Sequence, residues 1–223
     1  MLLRGRIFWL IGAFLGVASL ITSYAQAPEQ DCFDAIFVCS DTYTQANAYS
    51  GTGAVQEVPN SSSCLLNGES NSVWYLFTVN SGGDLTFQIT PNNPNDDYDF
   101  AVYNLTNDSC EGIAQGTNLP VSCNYSSDPG ATGLSAGAAN STEPSNGPNQ
   151  CAPLQVAAGE TYVLLVNNFT NTQNGYELSF GGNASILDNQ PPQADTITFQ
   201  NGVCNPDRIW ISFGEQIDCS SIA

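Results

Sequence analysis

Asp96, Asp97 and Asp99 crowd four positions of NPNDDYDFAVYNL (93–105), at the mouth of a run in which Phe100 and Val102 alternate with Ala101 and Tyr103. Three readings suit such a cluster. Hard carboxylate oxygens, with Asn93, Asn95 and loop carbonyls nearby, suit calcium (Ca2+). The Gly-6 and Glu-12 spacing of an EF-hand is missing, so that loop is not the one present. Two acids about 5–10 Å apart suit glycoside hydrolysis, and Asp97 and Asp99, two apart on a strand, share one face at about that separation. The plain alternative is a polar strand mouth, since Asp and Asn favour turns.

Other catalysis is excluded by composition. The chain has no histidine, and its three cations are Arg4, Arg6 and Arg208, so it also lacks lysine. Ser-His-Asp, Cys-His and Schiff-base arrangements therefore cannot be assembled. A glycosidase would further need a cleft with aromatic platforms, whereas the aromatics here alternate into strands as core residues. The expectation is a non-enzyme. Sugar-binding sandwiches do stack aromatics on a face or loop, and Trp74, Tyr103, Tyr125 and Trp210 are the candidates. Trp74 and Tyr103 lie opposite the regular core face of their strands, although packing under a neighbouring layer is the commoner fate of such residues.

Arg4 and Arg6 precede an apolar run from Ile7 to Ile21 and then small residues at A-x-A spacing, Ala25 and Ala27. This reads as a signal peptide cleaved after Ala25 or Ala27. A membrane anchor would want a longer run with a charged flank behind it. The chain is expected to be secreted, on the outer cell surface, with no membrane insertion after cleavage. Loss of Arg4 and Arg6 takes the net charge from −18 to 1 − 21 = −20. A polyanion with one cation cannot neutralise phosphates, so nucleic acid is excluded as a partner.

An exported chain with eight cysteines, Cys32, Cys39, Cys64, Cys110, Cys123, Cys151, Cys204 and Cys219, is expected to hold them as disulfides. Zinc is disfavoured, with no C-x-x-C pair and no histidine. Were 34–39 a strand, Cys32 and Cys39 would lie roughly 20 Å apart, so each needs a distant partner. Cys110 and Cys123 bracket one loop and form the favoured pair, the remaining connectivity staying open.

Several segments alternate with period two. In SVWYLFTV (72–79), Val73, Tyr75, Phe77 and Val79 share a face, with Trp74 and Leu76 opposite, as a central strand requires. DLTFQIT (84–90) places Leu85, Phe87 and Ile89 inward. PLQV (153–156), TYVLLVNNF (161–169) and GYELSFGG (175–182) follow the same logic, and no segment sustains a 3.6-residue period. From 124 to 150 the chain is Ser-, Gly- and Asn-rich with almost no large apolar residue, which reads as a functional loop or local disorder. Many short strands with Gly/Asn/Pro turns make an all-β jelly-roll sandwich with disulfides, after the signal peptide. The expected division is signal peptide 1–27, sandwich 28–185, a Pro-rich linker 186–194, and an incomplete second β domain 195–223, since two strands cannot bury a core of their own.

Taken together, NSVWYLFTVNSGGDLTFQITP, DDYDFAVYNLTNDSC and GETYVLLVNNFTNTQNGYELSFGG resemble the bacterial pre-peptidase C-terminal, CUB-like jelly-roll module. The version most similar is that of Bacteroidetes type IX-secreted, gliding-motility-associated surface adhesins. The tail ITFQNGVCNPDRIWISFGEQIDC resembles the first strands of an Ig-like repeat. The resemblance implies a non-catalytic adhesion or binding module of a longer chain. Calcium at Asp96, Asp97 and Asp99 would stiffen its loops, and extracellular polysaccharide or a surface protein would be its partner, beside other domains of the same chain. The alternative is an accessory module of a secreted hydrolase, glycosidase or peptidase, with catalysis beyond residue 223. DTI (195–197) resembles a Bacteroidetes O-glycosylation site, which implies modification at Thr196.

Overall fold

Period-two alternation resolves into two facing sheets in the computed structural model, which describes residues 26–59, 62–187, 194–200 and 208–213. The strands are β1 (Ile36–Phe37), β2 (Thr42–Asn47), β3 (Val73–Thr78), β4 (Gly83–Pro91), β5 (Tyr98–Asn104), β6 (Ser122–Asn124) and β7 (Thr132–Leu134). They continue with β8 (Thr142–Glu143), β9 (Gln150–Cys151), β10 (Leu154–Val156), β11 (Thr161–Asn168), β12 (Asn174–Gly182), β13 (Ala194–Gln200) and β14 (Arg208–Phe213). A short helix, α1 (Cys110–Ala114), and two 3₁₀ turns, Pro28–Gln30 and Cys32–Asp34, complete the description.

The first sheet runs β1-β3-β11-β5-β6-β8 and the second β2-β12-β4-β7-β9, with β10 also on β4. The chain crosses between them at almost every step, and the late strands wedge between early ones: β11 between β3 and β5, β12 between β2 and β4. That interleaving is the double Greek key of a jelly-roll sandwich. β13 and β14 pair antiparallel with each other.

The main core fills the space between the sheets. Val73, Tyr75 and Phe77 from β3, Phe100 and Val102 from β5, and Leu164 and Val166 from β11 meet Leu85, Phe87 and Ile89 from β4 and Tyr176 and Leu178 from β12. Phe87 and Phe100 pack edge to face across the layers with centroids 5.0 Å apart, a geometry that adds to the roughly 2–3 kcal/mol each ring gains by burial. On β7, a Cβ at Gly133 would sit 2.1 Å from the Phe87 carbonyl oxygen, so only glycine lets that strand ride over β4. Ile186 is buried in this core and Leu187 packs on it, so the sandwich reaches just past the expected boundary at 185.

A second core covers the outer face of the first sheet. Trp74, Ala101, Tyr103, Val163 and Leu165 point outward from β3, β5 and β11, and are roofed by Val58, Leu65, Cys32, Cys110 and Ile113. The roof comes from the N-terminal turns, residues 48–59 and 62–72 (the cover), and α1. This is why TYVLLVNN and VWYLFT are apolar on both faces. Two disulfides fasten the roof, Cys32–Cys110 and Cys64–Cys123. They correct the expected Cys110–Cys123 pair, since α1 aims Cys110 at the N-terminal turn. Cys39 is also disulfide-bonded. Cys151 is a second correction: among the described residues it is the free thiol, buried in the main core beside Asn124. Cys123, on neighbouring β6, faces the other way and is already taken by Cys64. Cys204 and Cys219 lie outside the described residues.

The polar stretch 124–150 is neither bare loop nor disorder. It carries β7, β8 and part of β9. Hydrogen bonds replace the missing apolar contacts: Ser126 Oγ donates to the Gly147 carbonyl at 2.7 Å, Ser127 Oγ to the Ser145 carbonyl at 2.7 Å, and Asn149 Nδ2 to the Asp128 carbonyl at 3.0 Å.

Candidate functional site: an acidic pocket at one end of the sandwich

The alternation of β5 separates the three aspartates. Tyr98 points into the main core and its hydroxyl donates to the Asn174 carbonyl at 2.6 Å. Asp97 and Asp99 therefore fall on the opposite, outer face. Asp96 belongs to neither: its Oδ2 accepts from Thr172 Oγ1 at 2.7 Å and Asn174 Nδ2 at 3.1 Å, and its Oδ1 from Asn93 Nδ2 at 3.3 Å. Those bonds tie the start of β5 to the β11–β12 turn. The expectation of one ligand set formed by Asp96, Asp97 and Asp99 is corrected by this geometry. Asp96→Ala should cost about 2 kcal/mol, from three lost hydrogen bonds and their stranded donors, with the acidic pocket left intact. Urea denaturation of the variant checks this.

Asp97 and Asp99 line a cavity of about 90 Å³ together with Tyr125, Ser126, Ser127, Ser145 and Phe169. Each wall is placed by backbone pairing. Asp99 sits opposite Asn167 on β11, and the Phe169 N–H donates to the Asp97 carbonyl at 3.1 Å. The Asp97 N–H in turn donates to Thr170 Oγ1 at 2.6 Å. On the other side β6 continues into Tyr125, whose N–H donates to the Glu143 carbonyl at 3.0 Å. Tyr125 and Phe169 close the cavity with rings 5.9 Å apart and nearly perpendicular. Phe169 remains 46% exposed and forms the lip.

Asp99 is 1% exposed, and among the described residues neither of its carboxylate oxygens has a hydrogen-bond partner. Burial first, and the charge of Asp97 second, push its carboxyl up to about 8. Asp97 rises to about 6, through burial and then through Asp128. An ionised, unpartnered carboxylate in such a place is costly, and the group must take a proton or a cation. The chain cannot supply the cation from lysine or histidine, having neither. Ser126 and Ser127 donate their hydroxyl protons to carbonyls, which leaves oxygen lone pairs available to an ion. Among the described residues no three acidic, cysteine or histidine side chains converge as a metal-holding group. An ion here would rest on two carboxylates, with hydroxyls, carbonyls and water completing its shell.

Of the aromatics singled out from the sequence, Tyr125 lies at the pocket. Trp74 and Tyr103 do not: both are fully buried in the second core, 6.1 Å apart. The Trp74 indole N–H donates to Glu69 Oε1 at 2.9 Å. Neither offers a surface to a glycan, and their place opposite the regular core face reflects the added roof. Phe169, Ser126, Ser127, Ser145 and Asp128 were not legible as site residues, since four of them lie in or beside the low-complexity stretch. Thr196 falls on β13 and Trp210 on β14, whose side chains lie outside the described residues.

Fold and site together define a disulfide-braced jelly roll with a small acidic pocket between aromatic walls. No protein-family model matches the chain, and a search of curated proteins finds none that matches it. Among the described residues no helix is long and apolar enough to cross a membrane.

Proposed function

We propose that this chain is a non-catalytic binding module that works outside the cell, within a longer surface protein, and that it uses the Asp97–Asp99 pocket to hold calcium. The observation that carries the reading is Asp99, a buried carboxylate with neither oxygen partnered among the described residues, in a cavity it shares with Asp97. Calcium takes about six to eight oxygen ligands, in which carboxylates are completed by carbonyls and water. The cavity, about 90 Å³, fits an ion with its water better than a sugar ring, given that small-molecule sites usually start near 300 Å³. That size speaks against a glycosidase centre at the same two carboxylates.

The disulfides suit an oxidising, extracellular setting. The apolar start with Arg4 and Arg6, the resemblance to pre-peptidase C-terminal modules of Bacteroidetes type IX-secreted adhesins, and the strongly acidic surface support the same location. Extracellular polysaccharide is the partner this reading favours: its hydroxyls would complete the calcium shell while its apolar ring faces rest on Phe169 at the lip.

Calcium titration followed by thermal melting tests the proposal. At 100 times its dissociation constant, calcium should add about 2.7 kcal/mol, raising Tm by roughly 5–11 °C for a domain of this size. Asp97→Asn with Asp99→Asn should remove the rise. A wild-type Tm unmoved by millimolar calcium would overturn the reading.

A further inference from the structure

We propose that Glu57 and Glu69 share one proton and clamp the cover (48–59 and 62–72) onto the first sheet, and that losing this proton frees the cover and uncovers Trp74. This inference concerns a second acid cluster, away from the calcium pocket, and stands without it.

The geometry is a three-way tie made by two carboxyl groups. Glu57 and Glu69 are 2% and 3% exposed. Glu69 Oε1 accepts from Trp74 Nε1 on β3 at 2.9 Å, and its Oε2 from the Glu57 backbone N–H at 3.0 Å. Glu57 Oε1 accepts from the backbone N–H of Cys32, in the N-terminal turn, at 2.9 Å. Sheet, cover and N-terminal turn thus meet at one pair. Glu57 Oε2 is buried and, among the described residues, has no partner in the ionised form.

The two carboxyl groups share one buried site: Glu69 Oε2 is bonded to the Glu57 backbone, and Glu57 Oε2 has no partner among the described residues. Two ionised carboxylates held in such a site are costly, so the pair keeps one proton. The surroundings offer nothing else to neutralise the pair. Asp31 adds negative charge beside Glu57. Glu69 faces Ser72, Trp74 and the Tyr103 phenol, all neutral. Burial, with the Glu57 charge adding to it, raises Glu69 to about 8. Below that pH the shared proton closes the clamp. Above it, two like charges face each other in a dry site, and the segments they join are pushed apart. The Cys64–Cys123 disulfide keeps the loosened cover tethered, so the opening is local and reversible.

The test uses the full chain labelled with 5-fluorotryptophan and carboxyl-13C glutamate, in calcium-free buffer. Trp74→Phe assigns the Trp74 fluorine signal. Between pH 7 and 9 one glutamate carbon should titrate, and the Trp74 fluorine should acquire a solvent isotope shift that is near zero at pH 6. Glu57→Gln leaves Oε1 to accept from Cys32 and puts an amide N–H at the unpartnered Oε2 position, so it should keep Trp74 closed to pH 10. Glu69→Gln leaves one acceptor for the N–H groups of both Trp74 and Glu57, and should loosen the cover at every pH. Titration of both glutamates near 4.5 would overturn the proposal. So would a wild-type Trp74 that stays closed to pH 10, or one that still opens in a folded Glu57→Gln variant.

Discussion

Asp99→Asn is expected to stabilise the calcium-free protein above pH 8 by on the order of 5 kcal/mol relative to wild type, with little difference near pH 4. The folded-state carboxyl titrates at about 8 against an ordinary 3.8. Between those values the folded chain holds a proton that the unfolded chain has released. An acid raised in this way favours folding fully below pH 4 and loses that contribution as pH rises toward 8. Four pH units at about 1.36 kcal/mol each give the figure. Asparagine has nearly the same shape and nothing to ionise, so its slope over this window is flat. Glu69 adds a parallel slope in both proteins, and the signature is therefore a difference of about one proton, not a flat curve in the variant. Denaturant unfolding at pH 5, 7 and 9 in the presence of a chelator measures it. Equal slopes in the two proteins would mean that Asp99 is solvated and the pocket is not the dry site described above.

The same proton explains how calcium would act. At neutral pH the ion must displace it from Asp99, so affinity should strengthen as pH rises toward 8. A protein with no lysine or histidine has few other ways to neutralise a buried carboxylate. On the proposed reading, the carboxylates whose burial is costly are the groups that would hold the ion.

Much of the fold was legible because period-two alternation is local. VWYLFT, DLTFQIT and TYVLLVNN announce strands and their inner faces without any knowledge of what packs on them. The outer core was not legible, because its partners come from irregular segments: Val58 and Leu65 sit in turn-rich stretches with no period. Trp74 and Tyr103 accordingly looked free to bind a ligand when they were roofed. β6 to β9 were missed for a related reason. They are two or three residues long and mostly polar, with Cys123, Leu134 and Cys151 as their core residues, and much of what holds them is hydrogen bonding across long sequence separations, which leaves no hydrophobic period. At the site, Asp97 and Asp99 stood out by type and spacing. Asp96 stood out equally and is a structural fastener, because it sits in the turn before β5, where Asn93, Thr172 and Asn174 take up its carboxylate. Phe169 and Tyr125 meet through sheet pairing alone.

The disulfides give the other large effect. Replacing both Cys64 and Cys123 by alanine should cost about 4 kcal/mol, from a cross-link that closes a sequence separation of 59 residues. For a domain of this size that is a fall of roughly 8–16 °C in Tm. The loss should not be spread evenly. The main core lies between the sheets and is held by interdigitating aromatics, whereas the roof over Trp74 has few apolar contacts and leans on Cys32–Cys110 and Cys64–Cys123. Amide hydrogen exchange should therefore rise first in the cover, while β4, β5 and β11 stay protected. A uniform loss of protection would show that roof and sandwich unfold as one unit. Peptide mapping without reduction supplies the matching control, since a Cys110–Cys123 cross-link would remove the physical basis of this expectation. Because the cover also carries Glu57 and Glu69, the variant should uncover Trp74 at neutral pH without any loss of a proton, which separates the tether from the clamp.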